Sequence, residues 1–326
     1  MKISVVMAAF NGQSHLAGQL ESIVNNSRPP DEIIIVDDAS TDHTIRIAER
    51  IKATSRIPIK LHVNDENIGP TRSFIKGTRS ALGDIILFSD QDDRWHPDKI
   101  IRMIEPFVHD PMVLMTYSDG IITDGDGKPL GRTIFSTRKR KDLHLGNDRT
   151  VTSIISDPDI KGCTMAVRTT LARLAFSQNQ VRFWPYWGHD HWIAALAYAY
   201  GKVTVIDAAL IEHRFHGRNA SAGVRFDPFV PSHWSLWMGR VRAQSNDHDL
   251  IKYRLLEDHL LKHEHLIHRA GILDEVRSHI ELAGQRSQIR MAKLPVRFYR
   301  ALQLWKRGIY GKYYNGFWTF LRDAVL

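Results

Sequence analysis

Two short acidic clusters, Asp37-Asp38 and Asp90-Gln91-Asp92-Asp93, each follow directly on an apolar run of strand length. That pairing constrains the chain more than any other feature. The runs are Ile33 to Val36 and Ile85 to Ser89; Ile3 to Ala8 shares their character, and Ile59 to Val63 reads as a further strand. Helical spacing fills the gaps. Leu16, Leu20, Ile23 and Val24 share one face, Ile47 and Ile51 lie four apart, and Gly69-Pro70 opens a segment through Ser80. Ser40 or Asp42 is expected to cap the second of these helices. Such alternation predicts an α/β fold with a mostly parallel central sheet and helices on both faces. In these sheets ligands gather at the carboxyl ends of the strands, where both clusters fall.

The remainder is less regular. Val113 to Ser118 reads as a strand, Asp124-Gly125-Asp126-Gly127 as a turn, Lys139 to Lys141 as part of a basic loop and Asp190 to Tyr200 as a helix. Lys202 to Ile206 and Leu210 to Phe215 read as two further strands. Beyond about Arg225 the pattern turns helical, so we expect one domain over 1–225 and a basic helical extension over 226–326. The single cysteine, Cys163, excludes an internal disulfide framework and suits a reducing compartment. No apolar run reaches the roughly 18 residues that span a bilayer. The opening MKISVVMAAFNG reads as a buried first strand, not a signal peptide. A cytoplasmic protein is expected.

Clustered carboxylates repel one another, so Asp90-Gln91-Asp92-Asp93 costs stability unless a cation sits among them. Mg²⁺ or Mn²⁺ takes one or two carboxylates and keeps phosphate oxygens as further ligands. A nucleotide diphosphate so held is a good leaving group. The competing reading, a solvated acidic turn, does not account for the strand-end placement.

The segments VVMAAFNG, IIIVDDAS, NDENIGPTRSF and ILFSDQDDRWHPDKI stand in an order and spacing that resemble the family 2 glycosyltransferases. The resemblance runs from Met1 to about Ser221, and its wording is most similar to the bacterial rhamnosyltransferase branch. It implies a GT-A nucleotide-diphospho-sugar transferase fold. It also implies that Ala8 and Phe10 line the nucleobase pocket and that Asp38, with Asp37, reads the base or ribose. Arg72 would lie near the base and phosphates, Asp90 by the ribose and metal, and Asp92 on the metal. Asp93 would share one of these tasks or cap the helix expected to start at Pro97.

Downstream, Trp187-Gly188-His189-Asp190-His191-Trp192 resembles the motif holding the catalytic base, with Asp190 in that role and His189 where relatives carry an acid. A helix N-terminus favours the charged carboxylate, in keeping with proton acceptance. Trp184, Trp187 and Trp192 are candidates equally for a sugar platform or for core. The stretch EHRFHGRNAS resembles the segment whose His approaches the metal or diphosphate. On a strand, residues three apart face opposite sides, so His213 and His216 do not both reach one ion, and His216 is the choice. Arg214 or Arg218 is a candidate for the diphosphate. His259, His263, His265 and His268 read as a solvated helix face.

The last 41 residues hold nine Lys or Arg and one acid, Asp323, while the rest of the chain is balanced, so the tail carries the whole net charge of +8. Phe298, Leu302, Trp305 and Ile309 form one helical stripe with Arg297, Arg300 and Arg307 opposite, before an aromatic stretch, Tyr310 to Trp318. This fits peripheral attachment to an anionic membrane surface at the cytoplasmic face of the inner membrane, or a helix packed on the catalytic domain. A nucleic-acid-binding tail is a rival; none is expected as a partner.

Taken with the resemblance, the expected activity is inverting, metal-dependent transfer of one sugar from a nucleotide-sugar donor to a hydroxyl of a cell-surface glycan or lipid-linked precursor. The donor implied by the branch is dTDP-rhamnose, with a UDP-hexose as the alternative. A processive synthase would carry QxxRW after the base, and none follows. A nucleotidyltransferase would open with a Gly-rich, Arg-containing loop, which MAAFNGQSHL lacks. A catalytically inactive glycan-binding relative is the non-enzyme alternative.

Overall fold

The computed structural model describes residues 1–137, 160–177, 187–216, 248–310 and 317–325. Lys139 to Lys141, Trp184, Arg218, Asn219, Ser221 and Lys312 to Asn315 lie outside the described residues. The chain divides into two compact units, Met1–Thr150 with Asp157–Arg218, and Val151–Ser156 with Asn219–Leu326.

The first unit is built on a mixed sheet. Strands β1 (Ile3–Ala9), β2 (Glu32–Asp37), β3 (Ile59–Val63) and β4 (Ile85–Asp90) alternate with helices α1 (Leu16–Val24), α2 (Thr44–Thr54) and α3 (Pro70–Ser80). They pair in parallel in the order β3-β2-β1-β4. The runs of β1, β2 and β4 are apolar and buried on both faces, while β3, at the sheet edge, is only partly buried. Ile3, Val5, Met7, Ile33 and Ile35 pack with Leu16, Leu20 and Ile23 of α1. On the other face α3 presses close at Gly77, where a Cβ would meet Val6 Cγ1 at 2.5 Å. Glycine at that position sets how near the helix lies.

Beyond β4 the sheet is no longer uniform. After β5 (Arg94–Trp95) and α4 (Lys99–His109) come β6 (Val113–Thr123), β7 (Pro129–Thr133), β8 (Met165–Arg168), α5 (Thr169–Ala175), α6 (His189–Tyr200) and β9 (Lys202–Arg214). The order continues β4-β8-β6-β9-β5, with β7 on β6. β8 runs antiparallel to both neighbours, and β9 runs parallel to β6. The two strands expected over residues 202–215 are one strand. β6 is long enough to pair with both halves, and Asp207 and Ala208 are absorbed where the register moves from Ser118↔Ile206 to Asp119↔Ala209.

The second unit is helical among its described residues: α7 (His248–Lys262), α8 (Ile272–Met291), α9 (Leu294–Lys306) and α10 (Phe317–Val325). Ile289, Ala301, Leu304, Tyr310, Phe320 and Ala324 form its small core. The buried Asp323 accepts from Arg286 Nε at 2.5 Å, Arg290 Nη1 at 3.2 Å and Tyr310 OH at 3.2 Å. Arg297 Nε donates to the Asp323 carbonyl at 2.8 Å, so it does not belong to a water-facing basic side as its spacing suggested. Ala301 and Leu304 make the packed face of α9, and the stripe through Phe298 and Trp305 flanks it, 47% and 38% exposed. His259 is no solvated residue either. It is 3% exposed beside Leu256 and Leu260, and burial drives its pKa from 6.5 down to about 4. No described helix is long and apolar enough to cross a membrane.

Candidate functional site

The carboxyl ends of β1, β2 and β4 deliver the predicted residues to one edge of the sheet. Ala8 and Asp90 are register partners at the end of the β1–β4 ladder, and Ala8 also pairs with Val36. Phe10 follows, 44% exposed. Asp37 and Asp38 are buried, and each has local duties. Asp37 accepts the Ser40 N–H at 2.8 Å and its hydroxyl at 2.6 Å. Asp38 accepts from Asn64 Nδ2 at 2.8 Å, Ile68 N–H at 2.9 Å and Gly69 N–H at 2.8 Å, fastening the loop that opens α3. The carboxylate keeps lone-pair capacity beyond these three bonds. Neither residue caps α2. Asp42 takes the Thr44 N–H at 2.9 Å, and Ser40 is held by Asp37. Arg72 is exposed in the first turn of α3.

The acidic cluster after β4 meets the end of β9. His216 Nε2 lies 2.7 Å from Asp92 Oδ2, joining residues 124 apart in sequence. His213 Nδ1 lies 2.9 Å from Asp93 Oδ1. The two histidines thus engage different carboxylates, His213 from within β9 and His216 from just past its end at Arg214. Arg214 Nε donates to the Asp92 carbonyl at 3.1 Å and its Nη1 to the Gly125 carbonyl at 2.9 Å, so it braces this loop. Asp93 caps no helix. Its partner is His213, and α4 begins only at Lys99.

Electrostatics divide the cluster in two. Burial first, then Asp93, Asp92 and Asp190, push the Asp90 carboxyl up to about 7. Burial and Asp93 also raise Asp92, against the pull of His216. Behind them, Asp93 is held low by His213 despite its burial, and His213 is raised by Asp93. Asp93, Cys163 and His213 form a compact set of ligand-type atoms, all within 4.8 Å of one another. Burial lifts the Cys163 thiol well above its usual range, which keeps it protonated and a poor ligand. Lys99, fully buried, donates to the Cys163 carbonyl at 2.6 Å and lies 4.0 Å from the Trp95 ring centre. Asp93 and His213 balance each other within this rear layer. The negative charge at Asp90 and Asp92 in front is incompletely offset.

Asp190 sits in the first turn of α6, close enough to raise Asp90. Its Oδ1 accepts the His191 N–H at 2.8 Å. Burial alone would raise its pKa, but His191, His189 and that bond outweigh it and hold it below the ordinary value. His189 is buried between Phe74 and Phe88, ring centres 4.2 and 5.4 Å away, and burial keeps it neutral. Trp187 and Trp192 are core, 5.2 Å apart and each about 1% exposed, which answers the platform question for these two.

Four further side chains contribute to this edge, and no local sequence signal marks them. His15 stacks on His216 at 5.4 Å with 20° between the planes. Gln91 bonds to the Phe10 backbone, and Lys99 and Cys163 fill the rear layer. A histidine at a helix start and a glutamine between two acids carry no periodic signal. Only the tertiary arrangement gives them neighbours.

Residues 4–159 match the family described as Glycosyl transferase family 2. An uncharacterized glycosyltransferase of Nostoc sp. is 29% identical over 225 residues, covering 67% of this chain and 66% of its own. The dTDP-rhamnosyl transferase RfbG of Shigella flexneri is 38% identical over 107 residues, 31% of this chain and 37% of its own. The chain therefore spans less than two thirds of the length of these relatives. Among solved structures, S. aureus TarS with UDP-GlcNAc has a TM-score of 0.53 at 17% identity, covering 98% of this chain and 90% of that one. The mannosyltransferase PcManGT from Pyrobaculum calidifontis, in complex with GDP-Man and Mn²⁺, also has a TM-score of 0.53 at 17% identity, covering 99% and 86%. These two likenesses establish the fold.

Proposed function

We propose that the chain acts as a family 2 glycosyltransferase, the family its residues 4–159 match, and that it moves one sugar per encounter from a nucleotide-sugar donor to an acceptor hydroxyl, with inversion and with the help of a divalent cation. The observation that carries this reading is the meeting of Asp92, from the end of β4, with His216, from beyond β9, beside the charge-crowded Asp90. Two carboxylates and one imidazole suit Mn²⁺ or Mg²⁺. The buried Asp93 Oδ2 without a hydrogen-bond partner adds a further oxygen of the same chemistry. Asp90, Asp92 and His216 would hold the ion, which when bound neutralises the charge developing on the departing nucleotide diphosphate.

The chain's own groups do the rest. Asp190 is charged at neutral pH, and with Oδ1 engaged by His191 N–H its Oδ2 takes the proton of the acceptor hydroxyl. The hydroxyl oxygen attacks the anomeric carbon from the face opposite the diphosphate, which inverts the configuration. Ala8, Phe10, Asp37 and Asp38 supply the nucleoside side of the pocket, and Arg72 the phosphate side. The donor is dTDP-rhamnose, a choice supported by the likeness to RfbG over 107 residues. The acceptor is a cell-surface glycan or its lipid-linked precursor.

The helical unit then serves to meet an anionic membrane surface from the cytoplasmic side. Phe298, Trp305 and Phe317, 47%, 38% and 52% exposed, gather around Phe320. Lys293, Arg300, Lys306 and Arg307 are exposed and enter no ion pair among the described residues. Aromatics with unpaired basic side chains are the composition that anionic lipid attracts. The full chain should sediment with vesicles containing anionic lipid and not with purely zwitterionic ones, and equal behaviour toward both removes this part.

The donor is tested by thermal shift against a panel of nucleotide sugars with and without Mn²⁺, followed by release of nucleoside diphosphate. Stabilisation follows ligand concentration over affinity, so the true donor gives the largest shift. dTDP-rhamnose is expected to lead only when Mn²⁺ is present. A UDP-hexose in first place replaces the donor, and transfer undiminished by a chelator contradicts the metal.

A further inference from the structure

Gln91 stands between the two carboxylates assigned to the cation and reaches across to the loop assigned to the nucleobase. β1 and β4 are parallel neighbours whose last register partners are Ala8 and Asp90. The strand order reverses direction here, β2 lying on one side of β1 and β4 on the other, which opens a ligand crevice in sheets of this kind. Past the last pair, the Gln91 side-chain amide continues the ladder. Its Oε1 accepts the Phe10 N–H at 2.9 Å, and its Nε2 donates to the Phe10 carbonyl at 2.8 Å. Attachment at two points fixes orientation as well as distance. The loop closes over the amide because residue 12 is glycine, where a Cβ would come within 2.0 Å of Oε1.

The opposite flank of the same loop is fastened to the segment after β2. Asn11 N–H donates to Ser40 Oγ at 2.9 Å, Thr41 N–H donates to Asn11 Oδ1 at 2.9 Å, and Gly12 N–H donates to Thr44 Oγ1 at 2.7 Å. Asn11 has φ 49°, a left-handed conformation that asparagine tolerates better than other L-residues and that its bonds to Ser40 and Thr41 hold in place. The loops after β1, β2 and β4 are thereby one hydrogen-bonded rim, with Gln91 as its link to the acidic cluster.

We propose that Gln91 is a positioning residue that couples cation binding at Asp90 and Asp92 to the order of the Phe10–Gly12 loop, so that the ion preorganises the nucleobase side of the donor pocket. The inference rests on the roles proposed above for Asp90, Asp92 and Phe10. Without a cation, repulsion between the flanking carboxylates works against the backbone geometry that presents the Gln91 amide to Phe10. Drawing both onto one ion fixes the backbone between them, and the amide transmits that order to the Phe10 peptide. A nucleoside then meets a loop whose ordering cost is already met.

Amide hydrogen exchange on the full chain, with and without Mn²⁺, tests this without any donor. In the wild type, Mn²⁺ should slow exchange both at residues 89–94 and at residues 8–13, the latter by roughly fivefold or more. In Gln91→Met, which keeps the bulk and removes the amide, slowing should persist at 89–94 and vanish at 8–13. Gln91→Ala repeats the experiment should the methionine disturb folding, which circular dichroism reports. Wild-type exchange at 8–13 that ignores Mn²⁺ overturns the coupling, as does slowing at 8–13 in the Gln91 variants equal to that in the wild type. Absence of any Mn²⁺ effect at 89–94 in the wild type defeats the metal reading instead, so the two failures are distinct.

Discussion

Both units bury acidic side chains, and they treat them in opposite ways. In the helical unit Asp323 is wrapped by Arg286, Arg290 and Tyr310, and its own carbonyl by Arg297. At the sheet edge Asp90 faces Asp92, Asp93 and Asp190, and its pKa climbs to about 7. Charge buried for structure brings its counter-ions with it, because an uncompensated buried charge costs several kcal/mol. Charge left crowded against its own sign is held against stability, and such sites mark where a ligand completes the balance. Asp93 with His213, a few ångströms behind Asp92, follows the structural rule even inside the site.

Substitutions can break this contrast. The largest effect is expected from Asp190→Asn, which should lower kcat by roughly 10²–10⁴ while Asp90 and Asp92 still bind Mn²⁺; near-normal transfer would remove the base from the account. Next, Asp323→Asn should destabilise the helical unit by about 3–5 kcal/mol through stranded arginines. Asp90→Asn in metal-free protein should hold or raise the melting temperature, since it removes repulsion. Equal losses in both variants would erase the distinction between the regions. A smaller effect belongs to His259, whose pKa of about 4 lies below the 6.5 of the unfolded chain. The unfolded chain holds the extra proton between those values, so this contribution is full above about pH 6.5 and lost as pH falls toward 4. It amounts to about 3 kcal/mol at most. Chemical denaturation of His259→Met should show a flatter pH dependence than the wild type across that window.

How much of this was legible in the chain follows from which forces are local. β1 to β4 and the helices between them were readable because continuous apolar runs and helical periodicity act over a few residues. The acidic strand ends were readable because carboxylate repulsion is a property of neighbours in sequence. The meeting of Asp92 with His216 was expected from family resemblance, while the pairing of Asp93 with His213 was not, since nothing near Asp93 announces a partner 120 residues away. The merging of residues 202–214 into one strand depends on the length of β6, a partner that the segment itself does not encode. His259 and Arg297 looked solvent-facing because composition shows charge and not the surface that covers it. In sequence Gln91 is only a spacer between two acids, and the bonds to Phe10 are what give it a task.

The central claim is tested most directly by titrating Mn²⁺ into wild type and Asp92→Asn and following thermal unfolding. At about one hundred times its Kd the ion should stabilise the wild type by about 2.7 kcal/mol, and the same concentration should leave the variant unmoved. Equal stabilisation of the two proteins would mean the cation is held elsewhere, and would contradict the account.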